Sequence, residues 1–154
     1  MTFKLRQEGL STVEFALVAA VLFTMIFAVI EISRAFFVSS ALDEATRRGA
    51  RMAAVCPVND AAIFQAAAFD NTVIPDLDAG DITVEYLNSA GAIVGNPVDP
   101  AGFRLIRYVR VRVVGYQHQM IIPFLSTLII MPEYATVLPR ESLGIPRQGA
   151  IVPC

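Results

Sequence analysis

The chain has 154 residues, enough for one modest domain with an anchor. It is 55% hydrophobic, above the ordinary globular range, and its charge is nearly balanced at −2 with 12 basic and 14 acidic residues. The single lysine and the eleven arginines are spread along the chain and form no basic tail, so nothing here argues for nucleic-acid binding.

The first nine residues carry Lys4 and Arg6, partly offset by Glu8. From Phe15 to Ile30 no residue is charged and none is Gly or Pro. A run of this kind predicts a helix long enough to cross most of a bilayer core, which takes roughly 17–25 apolar residues. Ser11 and Glu14 have the spacing of a capping box, so the helix is expected to begin near Ser11 or Thr12. Basic residues before the run favour a cytoplasmic N-terminus, although Arg34, Arg47, Arg48 and Arg51 follow it and weaken the asymmetry. The bulky Phe36 and Phe37 after Ala35 do not resemble a secretory cleavage site, so the run is expected to stay in the mature protein.

Beyond Ile30 the pattern becomes amphipathic. Val38, Leu42, Ala45, Gly49, Met52 and Cys56 share one helical face, while Asp43 with Arg47 and Glu44 with Arg48 form acid-first pairs four residues apart. Pro57 ends the helix, giving a rod from Ser11 to Cys56 of roughly 70 Å. Asn59 or Asp60 can cap a short second helix from Ala61 to about Phe69, and Asn71 to Gly80 reads as loop.

Asp81 to Leu87 alternates as a half-buried strand, and Asn88-Ser89-Ala90-Gly91 is a turn before a possible short return over Ala92 to Val94. Gly95 to Gly102 reads as loop. Tyr108 to Tyr116 is the clearest strand, with Val109, Val111 and Val113 on one face and Tyr108, Arg110 and Arg112 on the other. Gln117 to Met131 is too short and too broken by Pro123 to be a second span; it is expected to be a partly helical connection at the sheet edge or near a membrane surface. Pro132 to Arg140 is a last strand, and Gly144 to Cys154 an extended tail. The fold class expected is α+β: a long N-terminal helix, membrane-spanning in its first half, with a small antiparallel sheet packed on its second half.

Gly9, Glu14 and Phe15 resemble the start of a prepilin: a short basic leader, a Gly, an acid at the fifth position after it, an aromatic, then an apolar helix. Val13-Glu14-Phe15-Ala16-Leu17-Val18, Glu31-Ile32-Ser33-Arg34 and Arg48-Gly49-Ala50-Arg51 together resemble the TadE-like family of small pilin-like proteins of tight-adherence (Tad) systems. Ser33 stands where that family's pattern has Gly, and Ala20 where it often has Pro. The resemblance implies a leader over residues 1–9, an assembly helix over 10–33 and an extracytoplasmic domain over 34–154. It implies cleavage between Gly9 and Leu10 by a prepilin peptidase, and a Glu14 that pairs with the new amine of an adjacent subunit, with Phe15 beside it. The implied partners are that peptidase, other pilin-like subunits contacted through the N-terminal helix, and an inner-membrane pilus assembly platform. The implied location is the bacterial inner membrane, single-pass, with the domain periplasmic or carried into a pilus. The family's major pilins are much smaller, so a domain of this size fits a minor pilin or pseudopilin. The competing reading is an anchored extracytoplasmic binding module that never enters a filament.

Cys56 and Cys154 allow one intramolecular disulfide, which suits a domain outside the cytoplasm; free thiols or an intermolecular link are the alternatives. His118, between Gln117 and Gln119, is expected to be a polar surface residue. Asp76, Asp78 and Asp81 are expected to be a solvated loop, since their spacing misses the calcium-loop pattern. Arg110 and Arg112 are expected to form the wet face of the sheet. No nucleophile elbow, phosphate loop or metal-ligand spacing is present, so no enzymatic activity, cofactor or metal is expected.

Overall fold

The computed structural model describes residues 8–74, 76–121, 128–145 and 154. Helix α1 runs unbroken over Glu8–Val55, 48 residues, a rod of about 72 Å at the usual rise per residue. It already includes Ser11, so Ser11 is not an N-cap and the expected capping box does not form. Glu8 and Leu10 favour helix and no Pro precedes Ser11; Gly9 costs about 1 kcal/mol against alanine but does not block the helical backbone.

The two halves of α1 meet different surroundings. From Ser11 to Ile30 nearly every side chain is exposed. From Val38 onward one face is buried, through Val38, Ala41, Leu42, Ala45, Thr46, Ala50 and Ala53. The opposite face carries the Arg47–Asp43 and Arg48–Glu44 ion pairs at 2.8 and 3.2 Å. The small residues on the buried face let other elements approach the helix axis. A Cβ at Gly49 would lie 3.0 Å from Ala67 Cβ and 3.1 Å from Val111 Cγ1.

Helix α2 (Ala61–Ala67) is capped by Asp60, whose carboxylate accepts from the Ala62 amide. Strands β1 (Ile82–Leu87), β2 (Tyr108–Val113) and β5 (Tyr134–Pro139) form an antiparallel sheet in the order β1-β2-β5. Val109, Val111 and Val113 face inward from the central strand and are fully buried, with the strand packed against α1. On β5, Thr136 hydrogen-bonds Thr46 at 2.8 Å and Tyr134 hydrogen-bonds Ser39 at 2.7 Å, which seats that strand along the helix.

The C-terminal segment closes the end of α1. The amides of Glu141 and Leu143 donate to Ala54 O, and that of Gly144 donates to Val55 O. These carbonyls have no partner within the helix, and the segment supplies one. Gly144 has φ +77°, and a Cβ there would collide with the Pro57 ring. Cys56 is joined to Cys154 by a disulfide, the intramolecular pairing among the three alternatives.

Three expectations for local structure change. Ala92–Val94 makes a single bridge, Leu87 to Ile93, in place of a strand. Residues Pro100–Leu105 form helix α3, with Asp99 as its N-cap and Pro100 in the first turn. Asp-Pro is a good helix start, because proline sits where the amide has no helical partner in any case. The stretch after β2 is not helical where it is described: β3 (Gln117–Gln119) and β4 (Leu128–Ile130) pair as a separate two-stranded antiparallel ribbon. The extended tail expected over Gly144 to Cys154 lies mostly outside the described residues.

Candidate functional site

The functional candidates lie on α1, because that helix carries both the exposed apolar surface and its acids. The helix over Ser11–Val55 is long and apolar enough to cross a membrane: its most apolar 18-residue window has mean hydropathy 2.6 and is only 6% buried. The core helix of a soluble domain would be mostly covered; this segment is not. A single-pass membrane anchor is compatible with that exposure.

Gly9 and Leu10 lie within the helical backbone, and residues 1–7 of the leader expected over 1–9 lie outside the described residues. Glu14 is exposed, as is Phe15. Glu14 makes no hydrogen bond or ion pair with the described residues, so within one copy of the chain this acid is available to an outside partner.

Glu31, at the far end of the apolar run, behaves in the opposite way. It is only 5% exposed. His118 Nε2 lies 3.1 Å from Glu31 Oε1, the Ile121 amide donates to Oε2 at 3.0 Å, and Arg34 Nη1 lies 3.2 Å from both oxygens. A carboxylate can only accept, so Nε2 is the protonated ring nitrogen in this contact. A buried carboxylate left without donors costs several kcal/mol; here both oxygens are closed.

This overturns the expectation for His118. It is 2% exposed and buried, while Gln117 and Gln119 on either side point to solvent. The polar neighbours suggested a surface turn. In a strand, however, alternate residues take opposite faces, so two outward glutamines require an inward His118. The Glu31–His118 pairing joins residues 87 apart and left no local trace.

The Arg48-Gly49-Ala50-Arg51 motif is also explained by packing. Arg48 pairs with Glu44 and its guanidinium lies 4.5 Å from the Phe69 ring centroid, tying the segment after α2 to α1. Gly49 admits α2 and β2, Ala50 is fully buried, and Arg51 is exposed.

Arg110 and Arg112 are less open than a simple wet face. Arg110 binds one carboxylate oxygen of Glu85 and Arg112 the other, and Arg112 also reaches Glu133 at 3.2 Å. In the aspartate loop, the Asp81 carboxylate accepts from the Asp78 amide. Among the described residues no group of His, Cys, Asp and Glu has the arrangement of a metal site.

Residues 9–51 match the TadE-like protein family. The match includes Glu14, Glu31, Arg34 and Arg48, and leaves out the sheet, His118 and both cysteines. No curated protein and no solved structure matches the chain.

Proposed function

We propose that this chain, with its TadE-like segment, is a minor pilin or pseudopilin of a Tad-type assembly system. It is membrane-anchored before assembly, in the bacterial inner membrane, with its domain on the extracytoplasmic side. Its role is structural and not enzymatic: it contributes to pilus biogenesis, adhesion or secretion through helix packing, with no cofactor and no nucleic acid.

The observation that carries this reading is an exposed apolar rod, inside the TadE-like segment, with one unpaired acid near its start. In the proposed mechanism a prepilin peptidase cuts between Gly9 and Leu10. The residue without a side chain before the bond lets the protease approach the backbone closely. The bond lies within α1, so the first turn unwinds for cleavage. The cut creates an ammonium at Leu10. When the helix moves from lipid into a bundle of pilin-like helices at the assembly platform, Glu14 becomes buried. A buried carboxylate is tolerated when it is paired, and the Leu10 ammonium of an adjacent subunit supplies the charge. Apolar packing then gives cohesion, and the one charge pair gives register.

Intact mass tests the first step. Co-expressed with an active prepilin peptidase, the membrane-extracted chain is expected to lack Met1 to Gly9; with an inactivated peptidase it is expected to keep them. A leader that persists in both cases overturns the reading and favours an anchored binding module outside any filament.

A further inference from the structure

The described surface is apolar in a second place besides the run from Phe15 to Ile30. Ile121, Leu128 and Ile130 are 64, 56 and 71% exposed. Leu128 and Ile130 lie on the β3–β4 ribbon and Ile121 lies two residues beyond β3; the ribbon belongs to neither the main sheet nor its core. Its height along α1 is fixed at Glu31, through His118 Nε2 at 3.1 Å and the Ile121 amide at 3.0 Å. The helix beside it exposes Ile32, Phe36 and Phe37. The apolar surface of the span therefore continues past Ile30 on two elements at once.

The length of the span gives this continuity a reason. Phe15 to Ile30 rises only about 24 Å, short of a hydrocarbon core of about 30 Å. Glu31 would end the apolar belt if its carboxylate faced outward. Instead His118, Arg34 and the Ile121 amide enclose it. With the Glu31 carboxylate closed, exposed apolar side chains continue through Ile32, Phe36 and Phe37, interrupted by Ser33 and the partly exposed Arg34, over a total of about 34 Å.

We propose that the β3–β4 ribbon is a lipid-contacting element, lying in the interfacial layer of the leaflet at the Glu31 end of the span. This rests on the reading of α1 as a membrane anchor. Leu128 and Ile130 share a face with Gln119 and Gln117, their cross-strand partners. The apolar pair enters the headgroup–acyl boundary, and the glutamine amides hold the ribbon at a depth where water and headgroups satisfy them. Ile129 shares the opposite face with His118, turned toward the helix. Arg34 keeps about a third of its side chain exposed beside the cluster, so the guanidinium can reach a lipid phosphate while its stem lies along apolar surface.

The chain contains no tryptophan, so single-tryptophan variants are clean probes of depth. The full chain is reconstituted into two sets of phosphatidylcholine vesicles, one with lipid brominated near the headgroup end of the acyl chain, for the ribbon probes, and one with lipid brominated near the methyl end, for Phe23→Trp, with Val137→Trp measured in both. Three variants are compared: Phe23→Trp in the span, Ile130→Trp in the ribbon, and Val137→Trp on the outer face of the main sheet. Leu128→Trp repeats the ribbon reading at a second exposed position. Ribbon quenching within a factor of about two of Phe23→Trp, with Val137→Trp unquenched, is the expected result for an interfacial element. Ribbon probes that behave like Val137→Trp while Phe23→Trp is quenched overturn the ribbon proposal and leave the anchor standing. Ribbon probes that are shielded from water yet unquenched mark a protein-covered face and overturn it too. If Phe23→Trp is itself unquenched, the membrane anchor fails first.

Discussion

His118 Nε2 sits 3.1 Å from Glu31 Oε1, joining the ribbon to the top of the apolar helix across 87 residues of chain. Both groups are buried, so each is satisfied chiefly by protein. His118→Ala removes one donor from a buried carboxylate, a loss of about 1–3 kcal/mol. The expected outcome is local: amides of Gln117–Ile121 exchange with solvent roughly tenfold to a hundredfold faster, while those of β2 are unchanged. His118→Gln keeps a donor and is expected to recover part of the protection. Unchanged exchange at Ile121 in His118→Ala would show that the ribbon is held by other contacts.

Glu14 is expected to matter for assembly and not for folding. It is exposed and makes no bond to the rest of the described chain, and surface substitutions away from packed features usually change stability by less than about 0.5 kcal/mol. Glu14→Ala is therefore expected to leave thermal unfolding and membrane extraction unchanged, while recovery of the chain with other pilin-like subunits after crosslinking falls. Glu14→Gln separates charge from size and is expected to behave like Glu14→Ala. Normal recovery in both variants would remove the register role.

The disulfide closes a long loop, with Cys56 and Cys154 separated by 98 positions. In the chain-entropy picture such a closure stabilises on the order of 4 kcal/mol, because the unfolded chain loses freedom. Replacing both cysteines by serine is expected to lower the unfolding midpoint and to abolish the effect of reductant on it. An unchanged midpoint would mean that the contacts of residues 141–144 with the end of α1 suffice.

Gly49 is a packing position. Both atoms nearest a new Cβ belong to elements pressed on the helix, at 3.0 and 3.1 Å. Gly49→Val is expected to destabilise by about 1–3 kcal/mol through overpacking. Gly49→Ala sets a smaller clash against a helix-propensity gain of up to about 1 kcal/mol; its net effect is expected to be much smaller than that of valine. Gly80, where a Cβ meets nothing within 4 Å, is the control: Gly80→Ala is expected to be close to neutral. Equal chemical-denaturation midpoints for Gly49→Val and Gly80→Ala would contradict the close approach of α2 and β2.

Local patterns were legible in the sequence, and distant pairings were not. The apolar run, the i,i+4 pairs on α1 and the alternation of Tyr108 to Val113 each follow from a short period read along the chain, and each appears in the structure. The Cys56–Cys154 link was legible for a different reason: two cysteines leave one intramolecular choice. Helix α3 was missed although Asp99-Pro100 marks its start, because the glycines and prolines around it read as loop. Ser11 looked like a cap because its spacing to Glu14 fits, but a capping box forms only where the helix begins, and α1 begins earlier. The Glu31–His118–Arg34 cluster was hidden for a deeper reason. Glu31 and Arg34 were read as part of a family motif, and His118 by its neighbours; only folding brings the two segments together.

The disulfide also decides how a mechanical load would travel. Cys56 lies one residue beyond the end of α1, and the disulfide ties Cys154 to it. Traction on the rod and traction on the segment that holds Cys154 therefore converge on one covalent point. A load between the two runs through α1 and the disulfide and bypasses β2 and β5, whose packing on the helix it leaves unstrained.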